Sequence, residues 1–229
     1  MSVIRVVTGY IPLSTNTRSQ NEYHKLGERL LSLPVDIDCS FDTRLEDCWL
    51  WQAVHELQEL PRVSYSDNAR KNTMEYFCIV HQKTEWLERA QKHNPDVEVF
   101  VWMDYGIFHL PGITERGILD FLKEIEHSKP MVVEIPGRMP FSESIDAWKP
   151  YWRFCGGVLV CPAALVGPFN AAVKKTAIES MKKSSRVTWE VNTWALVEKQ
   201  RLVPIRQYHA SAHDQSMLTA YKALDSGGK

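Results

Sequence analysis

One stretch, Val97-Glu98-Val99-Phe100-Val101-Trp102-Met103-Asp104-Tyr105-Gly106-Ile107, constrains the fold more than any other part of the chain. Val97, Val99, Val101 and Met103 occupy one parity, and Phe100 and Trp102 the other. With both faces apolar and only Glu98 polar at the entrance, the run reads as a central strand of a largely parallel sheet, covered by helices on both sides. It ends on a single carboxylate, Asp104, at the strand's carboxyl end, where open α/β sheets place their ligands. Gly106 permits a sharp exit. Two readings of Asp104 are open here. It is a turn or helix-capping aspartate, or a ligand for a divalent metal or a phosphorylated cofactor.

Strand-like and helix-like patterns alternate around this stretch. Val3 to Val7 reads as a first strand, running into Thr8-Gly9-Tyr10 and a polar loop over 14–19. Backbone N–H groups and hydroxyls collect in such loops, so a nucleotide and a plain surface loop are both admissible readings. Helical spacing covers 21–33, 45–60, 73–92, 114–127 and 162–183, with Thr114 as an N-cap. Short strands are expected at 35–38, 61–65, 131–135 and 202–205, and a last short helix is expected to reach Leu224. The pattern predicts one α/β domain with a mainly parallel sheet over 1–225, and a disordered tail at 226–229. Within 73–92, Lys83 interrupts an apolar stripe. It reads either as a snorkelling side chain or as a cation aimed at a diphosphate beside the central strand. Gly156-Gly157, inside strand-like sequence, indicate either close approach by another group or a bulge.

Composition removes several classes. The net charge is −1, so no global basic field is available for a nucleic-acid backbone; Lys174, Lys175, Lys182, Lys183 and Arg186 offer at most a local patch. The five cysteines show no CxxC spacing and read as reduced, mostly buried thiols of a cytoplasmic protein. The first apolar run is too short for a signal peptide, and Pro162 and Pro168 break the longest one, so no transmembrane segment is expected.

The run Trp102-Met103-Asp104-Tyr105-Gly106-Ile107 resembles the WxDxGI signature of the HtrL/YibB-like family, whose members are assigned as glycosyltransferases. Asn72, Tyr76 and Lys83 upstream, and Gly156-Gly157, Trp189-Glu190 and His213-Asp214 downstream, are similar to that family in order and spacing, over roughly 3–218. The resemblance implies a single GT-A-like (Rossmann-like) domain that moves a sugar from a nucleotide-sugar, a UDP-sugar first, to a hydroxyl acceptor. The acceptor would be a surface glycan such as lipopolysaccharide core, or a hydroxymethylated DNA base. Mn2+ or Mg2+ on Asp104 and His213 would hold the donor diphosphate, although this chain lacks the second acid of an Asp-x-Asp element. Thr8, Gly9, Tyr10, Asn72, Tyr76, Lys83 and Asp104 would bind the donor. Trp152, Gly156, Gly157 and Trp189 would line the substrate, and Glu190, with Asp104, would be catalytic. Glu190 is equally readable as a first-turn helix acid, and Trp152 as core. A nucleotidyltransferase, and a carbohydrate-binding protein without turnover, remain alternatives on the same fold.

Overall fold

The computed structural model describes residues 3–16, 18–146 and 148–221. Its centre is a six-stranded sheet of β1 (Ile4–Gly9), β2 (Ile37–Ser40), β4 (Val99–Met103), β5 (Val133–Gly137), β6 (Val158–Pro162) and β8 (Ile205–His209). The spatial order is β2-β1-β4-β6-β5-β8. Strands β2, β1, β4, β5 and β8 share one direction and β6 opposes it, paired antiparallel to β4 and β5. Two short strands, β3 (Arg62–Val63) and β7 (Arg186–Val187), form a separate parallel pair.

Strand β4 is buried at all five positions. Phe100 and Trp102 enter one apolar layer, with side chains from α3 (Met74–His81), α4 (Lys83–His93), α6 (Ala163–Ser184) and α7 (Glu190–Lys199). Val99, Val101 and Met103 enter the opposite layer, against α1 (Gln20–Leu31), α5 (Glu115–Ser128) and α8 (Ser216–Thr219). The two parities of the strand thus serve two cores, as a strand covered on both faces must. Val97 falls in the Phe100 layer, because it precedes the strand and escapes its alternation.

Several expected elements differ in extent. The helix expected over 73–92 is two helices, α3 and α4, that meet at Gln82. Gln82 N–H bonds Ile79 O in a tightened turn. Its side chain accepts from Trp49 N–H at 3.2 Å, while the Trp49 indole donates to His81 O at 3.0 Å. A neighbouring helix, α2 (Trp49–His55), therefore takes the His81 carbonyl, one acceptor that a continuous helix would use. The stretch 45–60 yields only a 3-10 turn, Leu45–Asp47, and α2, because Cys48 is extended between them. Strand β1 runs to Gly9, so Thr8 is a fully buried strand residue and not part of a loop. The last strand begins at Ile205, after Arg201 in a left-handed turn, so Tyr208 and His209 belong to the sheet. The 226–229 tail and the expected approach to Leu224 lie outside the described residues. Among the described residues no helix is long and apolar enough to cross a membrane. All five cysteines are free, and burial raises their thiols, those of Cys39, Cys48 and Cys155 to about 12, which makes them poor nucleophiles.

His81 sits at the break between α3 and α4, bonded through Nδ1 to Phe77 O at 2.9 Å and through Nε2 to Thr193 Oγ1 at 3.1 Å. Burial pushes its imidazole down to about 4. The unfolded chain takes up this proton near the ordinary histidine value of about 6.5, so between those values it binds more protons than the fold does. Stability contributed by neutral His81 is therefore present above pH ~6.5 and is lost as pH falls towards ~4, by roughly 3 kcal/mol at most. Urea unfolding across this range should show the decline, and His81→Gln should flatten the slope by up to one proton. An identical slope in the variant would contradict the assignment.

Candidate active site

The carboxyl edge of the sheet gathers chain from four places. Strand β1 ends at Gly9, β4 ends just before Asp104, β6 begins just after Gly157, and His213 follows β8. Because β6 is antiparallel, its start lies at the same edge as the ends of its neighbours. Asp104 N–H donates to Gly157 O at 3.0 Å and closes this corner.

Lys83 is the first residue of α4, and the break at Gln82 aims it inward. It is buried, which corrects the snorkelling alternative. Its ammonium donates to Gly156 O at 2.8 Å and Glu190 Oε1 at 3.1 Å, and pairs with Asp104 Oδ1 at 3.1 Å. Three acceptors match the three N–H donors of an ammonium. Burial works against the charge, but the Asp104 and Glu190 carboxylates outweigh it and hold the Lys83 pKa above the ordinary value. A Cβ on Gly156 would lie 2.4 Å from Glu190 Oε1 and 3.2 Å from Lys83 Nζ, so glycine is what lets the ion pair form against the backbone.

Asp104 Oδ1 also accepts from Trp102 Nε1 at 2.8 Å, and the Trp102 ring stacks on Trp86 at 5.5 Å. One oxygen is thus fixed, while the side chain remains 37% exposed. Asp104 is neither a simple turn residue nor buried filler. Glu190 opens α7, as a first-turn acid does, but it is only 4% exposed and its Oε2 has no hydrogen-bond partner among the described residues. Burial and then Arg138 push the His213 imidazole below its ordinary value, so it is neutral near pH 7. Its ring meets Trp152 edge-on at 4.5 Å.

Two cavities open on this corner. The first, 150 Å³, is lined by Gly9, Tyr10, Tyr23, Tyr105 and Arg18, with Tyr10 stacked on Tyr105 at 5.2 Å. The second, 300 Å³, is lined by Trp152, Gly156, Gly157, Trp189, Glu190 and His213. Both are lined by Lys71, Tyr76, Lys83, Asp104 and His109, which form the seam. A larger cavity of 710 Å³ lies elsewhere, against Ile4, Pro34 and Leu122, and shares none of these residues.

The structure thus brings together Gly9, Tyr10, Tyr76, Lys83, Asp104, Trp152, Gly156, Gly157, Trp189, Glu190 and His213. It leaves out two expected donor-binding residues. Thr8 is enclosed in β1 and lines neither cavity. Asn72 closes its own loop: its Oδ1 accepts from Ser66 N–H and Oγ, and its Nδ2 donates to Ser66 O. Lys83 is at the expected place, but its donors are occupied by protein acceptors. Sequence reasoning did not single out Lys71, His109, Tyr23 or Tyr105 as site residues: Tyr23 read as part of the helical pattern over 21–33, Tyr105 as a variable position of the WxDxGI run, and Lys71 and His109 as loop residues. Arg18 lay in the polar loop after β1 without being singled out. Of the expected basic patch, Lys182 and Lys183 are exposed and the other three residues are engaged by the protein. Lys174 pairs with Glu85, Lys175 with Glu179, and Arg186 is buried with its guanidinium over Trp148.

No family model matches this chain, and no curated protein matches it. It is similar to the crystal structure of a glycosyltransferase involved in the glycosylation of the major capsid of PBCV-1. The TM-score is 0.53 at 11% identity, over 90% of this chain and 81% of that one. The fold is GT-A-like. A CMP:2-keto-3-deoxy-manno-octonic acid synthetase complexed with CTP matches at a TM-score of 0.46, 12% identity and 98% and 99% coverage. A 4-diphosphocytidyl-2C-methyl-D-erythritol synthase from Anaerococcus prevotii DSM 20548 matches at 0.37, 11% identity and 97% and 98% coverage. At 11% identity the first of these comparisons speaks to architecture alone: a single α/β domain with a mainly parallel sheet between helices.

Lys83→Met would leave the Glu190 carboxylate buried without its counter-ion. The expected cost is about 3–5 kcal/mol in urea unfolding. Adding Glu190→Gln should recover a large part of it, since the uncompensated charge is then gone. Equal stability of the single and double variants would show that the pair does not carry this energy.

Proposed function

We propose that this chain is a nucleotide-sugar-dependent glycosyltransferase. The observation that carries the reading is the pair of cavities meeting at a wall that contains Asp104. A transfer between two substrates needs two adjoining compartments with the reacting bond at their junction. The tyrosine-lined cavity suits a nucleoside, whose base offers a face to Tyr10, Tyr23 or Tyr105. The indoles of Trp152 and Trp189 in the second cavity suit the apolar face of a sugar acceptor. A UDP-sugar donor and a glycan acceptor are the readings we favour. A DNA acceptor has little support from a surface on which three of the five expected basic residues, Lys174, Lys175 and Arg186, are paired or buried.

Glu190 is the base in this reading. It lines the second cavity, where it would take the acceptor's hydroxyl proton as that oxygen attacks the anomeric carbon and the bond to the diphosphate breaks. Lys83 holds its Oε1 and so fixes the orientation of the carboxylate.

Among the described residues no group of three or more His, Cys, Asp or Glu could hold a metal ion. Asp104, through Oδ2, and neutral His213 fit a partial site, whose other ligands would be phosphate oxygens and water, the oxygen donors that Mg2+ and Mn2+ accept. Bound there, the ion would neutralise charge on the leaving diphosphate.

Asp104→Asn should keep the circular dichroism spectrum and lower donor hydrolysis on the order of 10²-fold. A fully active, folded variant would remove Asp104 from the mechanism. A thermal-shift panel separates the alternatives on the same fold. Stabilisation by UDP or UDP-sugars supports this reading. Stabilisation by nucleoside triphosphates alone indicates a nucleotidyltransferase, and by free glycans alone a binding protein.

The metal pair has its own test. In calorimetric titration of Mn2+ in the presence of UDP, His213→Ala should weaken binding by about tenfold or more. His209→Ala should match the wild type, because His209 is an exposed residue at the end of β8. Equal losses in both variants would count against His213 as a ligand.

A further inference from the structure

Lys83, Asp104 and Glu190 together hold one positive charge against two negative ones. Such a cluster repels a diphosphate, and Lys83 has no N–H left to offer it. The cation that neutralises the leaving group in the donor reading must therefore come from elsewhere. We propose that Lys71, at the seam of the two cavities, and Arg18, in the tyrosine-lined one, form the seat for the donor's diphosphate. This inference rests on the nucleotide-sugar reading above and supplies its anion-binding residues.

Placement supports it first. Lys71 lines both cavities and Arg18 lines the tyrosine-lined one. A nucleoside diphosphate with its base among Tyr10, Tyr23 and Tyr105 and its sugar near Glu190 must carry its phosphates across the seam, where Lys71 stands beside Asp104. Neither cation is within ion-pair distance of a carboxylate among the described residues, in contrast to Lys83 and Arg153. Lys71 Nζ lies 5.5 Å from the Tyr76 ring centre, a contact that leaves its N–H donors available.

Anchoring supports it next. Lys71 ends the 3-10 turn Ala69–Lys71, whose start Asn68 caps by accepting from Arg70 N–H at 3.2 Å. On its other side, Asn72 is bonded three times to Ser66, and Thr73 caps α3 through Tyr76 N–H at 3.2 Å. Arg18 immediately precedes Ser19, which forms a reciprocal capping box with Glu22 at the start of α1. Lys71 is flanked on both sides by hydrogen-bonded residues and Arg18 adjoins the capped start of α1, while both side chains reach a cavity, which favours a preorganised anion site. The role left for Asn72 is to position Lys71.

Electrostatics agree with the geometry. Burial pulls the Lys71 pKa below the ordinary lysine value; the pull of Glu190 and Asp104 does not offset it, and Lys83 and Arg18 add to it. A bound dianion would relieve this deficit. Arg18 adds a planar fork that can grip phosphate oxygens through two N–H groups.

The test is calorimetry on the full chain with UDP, GDP, CDP, ADP, inorganic pyrophosphate, and the nucleoside of whichever diphosphate binds. Lys71→Gln and Arg18→Gln should each weaken nucleoside diphosphate and pyrophosphate binding by about tenfold or more, as loss of a charge-assisted bond does. The nucleoside should lose far less affinity than the diphosphate, because neither substitution removes a tyrosine face from its site. Lys71→Arg should retain most of the diphosphate affinity, and thermal melts of each variant establish that it is folded. A loss shared equally by nucleoside and diphosphate would mean a general structural effect and would overturn the seat. So would diphosphate affinity unchanged in folded Lys71→Gln and Arg18→Gln, with the nucleotide reading left standing. Failure of the wild-type chain to bind any of these diphosphates would overturn the nucleotide reading, and the seat with it.

Discussion

Three protein acceptors on one buried ammonium organise this molecule. Lys83 Nζ joins the start of α4 to the end of β4 through Asp104, to the turn before β6 through Gly156 O, and to the start of α7 through Glu190. A buried lysine without such partners would lose its proton or open the fold. With them, it draws together parts of the chain separated by 73 and 107 residues. Each partner is itself constrained. Asp104 is held by the Trp102 indole, Gly156 admits Glu190 because it lacks a Cβ, and Glu190 stands at the first turn of a buried helix.

The sheet explains why these groups can meet at one edge. Strand β4 faces two cores, so it cannot slip without exposing one of them. Its carboxyl end is therefore a fixed point. The reversed strand β6, inserted between β4 and β5, brings its own beginning to that end, and Gly156-Gly157 arrive beside Asp104. An all-parallel arrangement would have placed the start of β6 at the opposite edge. The single antiparallel strand is thus part of how the second cavity is made.

The site divides its charges between two tasks. Lys83 is committed to the protein's own carboxylates and holds them in place. Lys71 and Arg18 line the cavities without a carboxylate partner among the described residues, which suits them to a ligand. The aromatic residues divide similarly: the Tyr10, Tyr23 and Tyr105 group lies on one side of the seam, and Trp152 and Trp189 on the other.

Much of the frame was legible in the sequence. The two-parity apolar run identified the central strand, and its terminal acid marked the sheet edge on which the two cavities open. Thr114 capped α5 as its position required, and alternating periodicities indicated an α/β domain. These readings succeed because a residue's neighbours along one element are its neighbours in space. Only the tertiary structure decided the break at Gln82, which depends on Trp49 from another helix, and the confinement of Asn72 to its own loop. It likewise decided that Lys83 faces protein acceptors while Lys71 and Arg18 face the cavities. Periodicity tells which face of an element a side chain takes. What waits there is set by how distant segments pack, and for a cation that contact determines whether its charge is matched within the fold or left for a ligand.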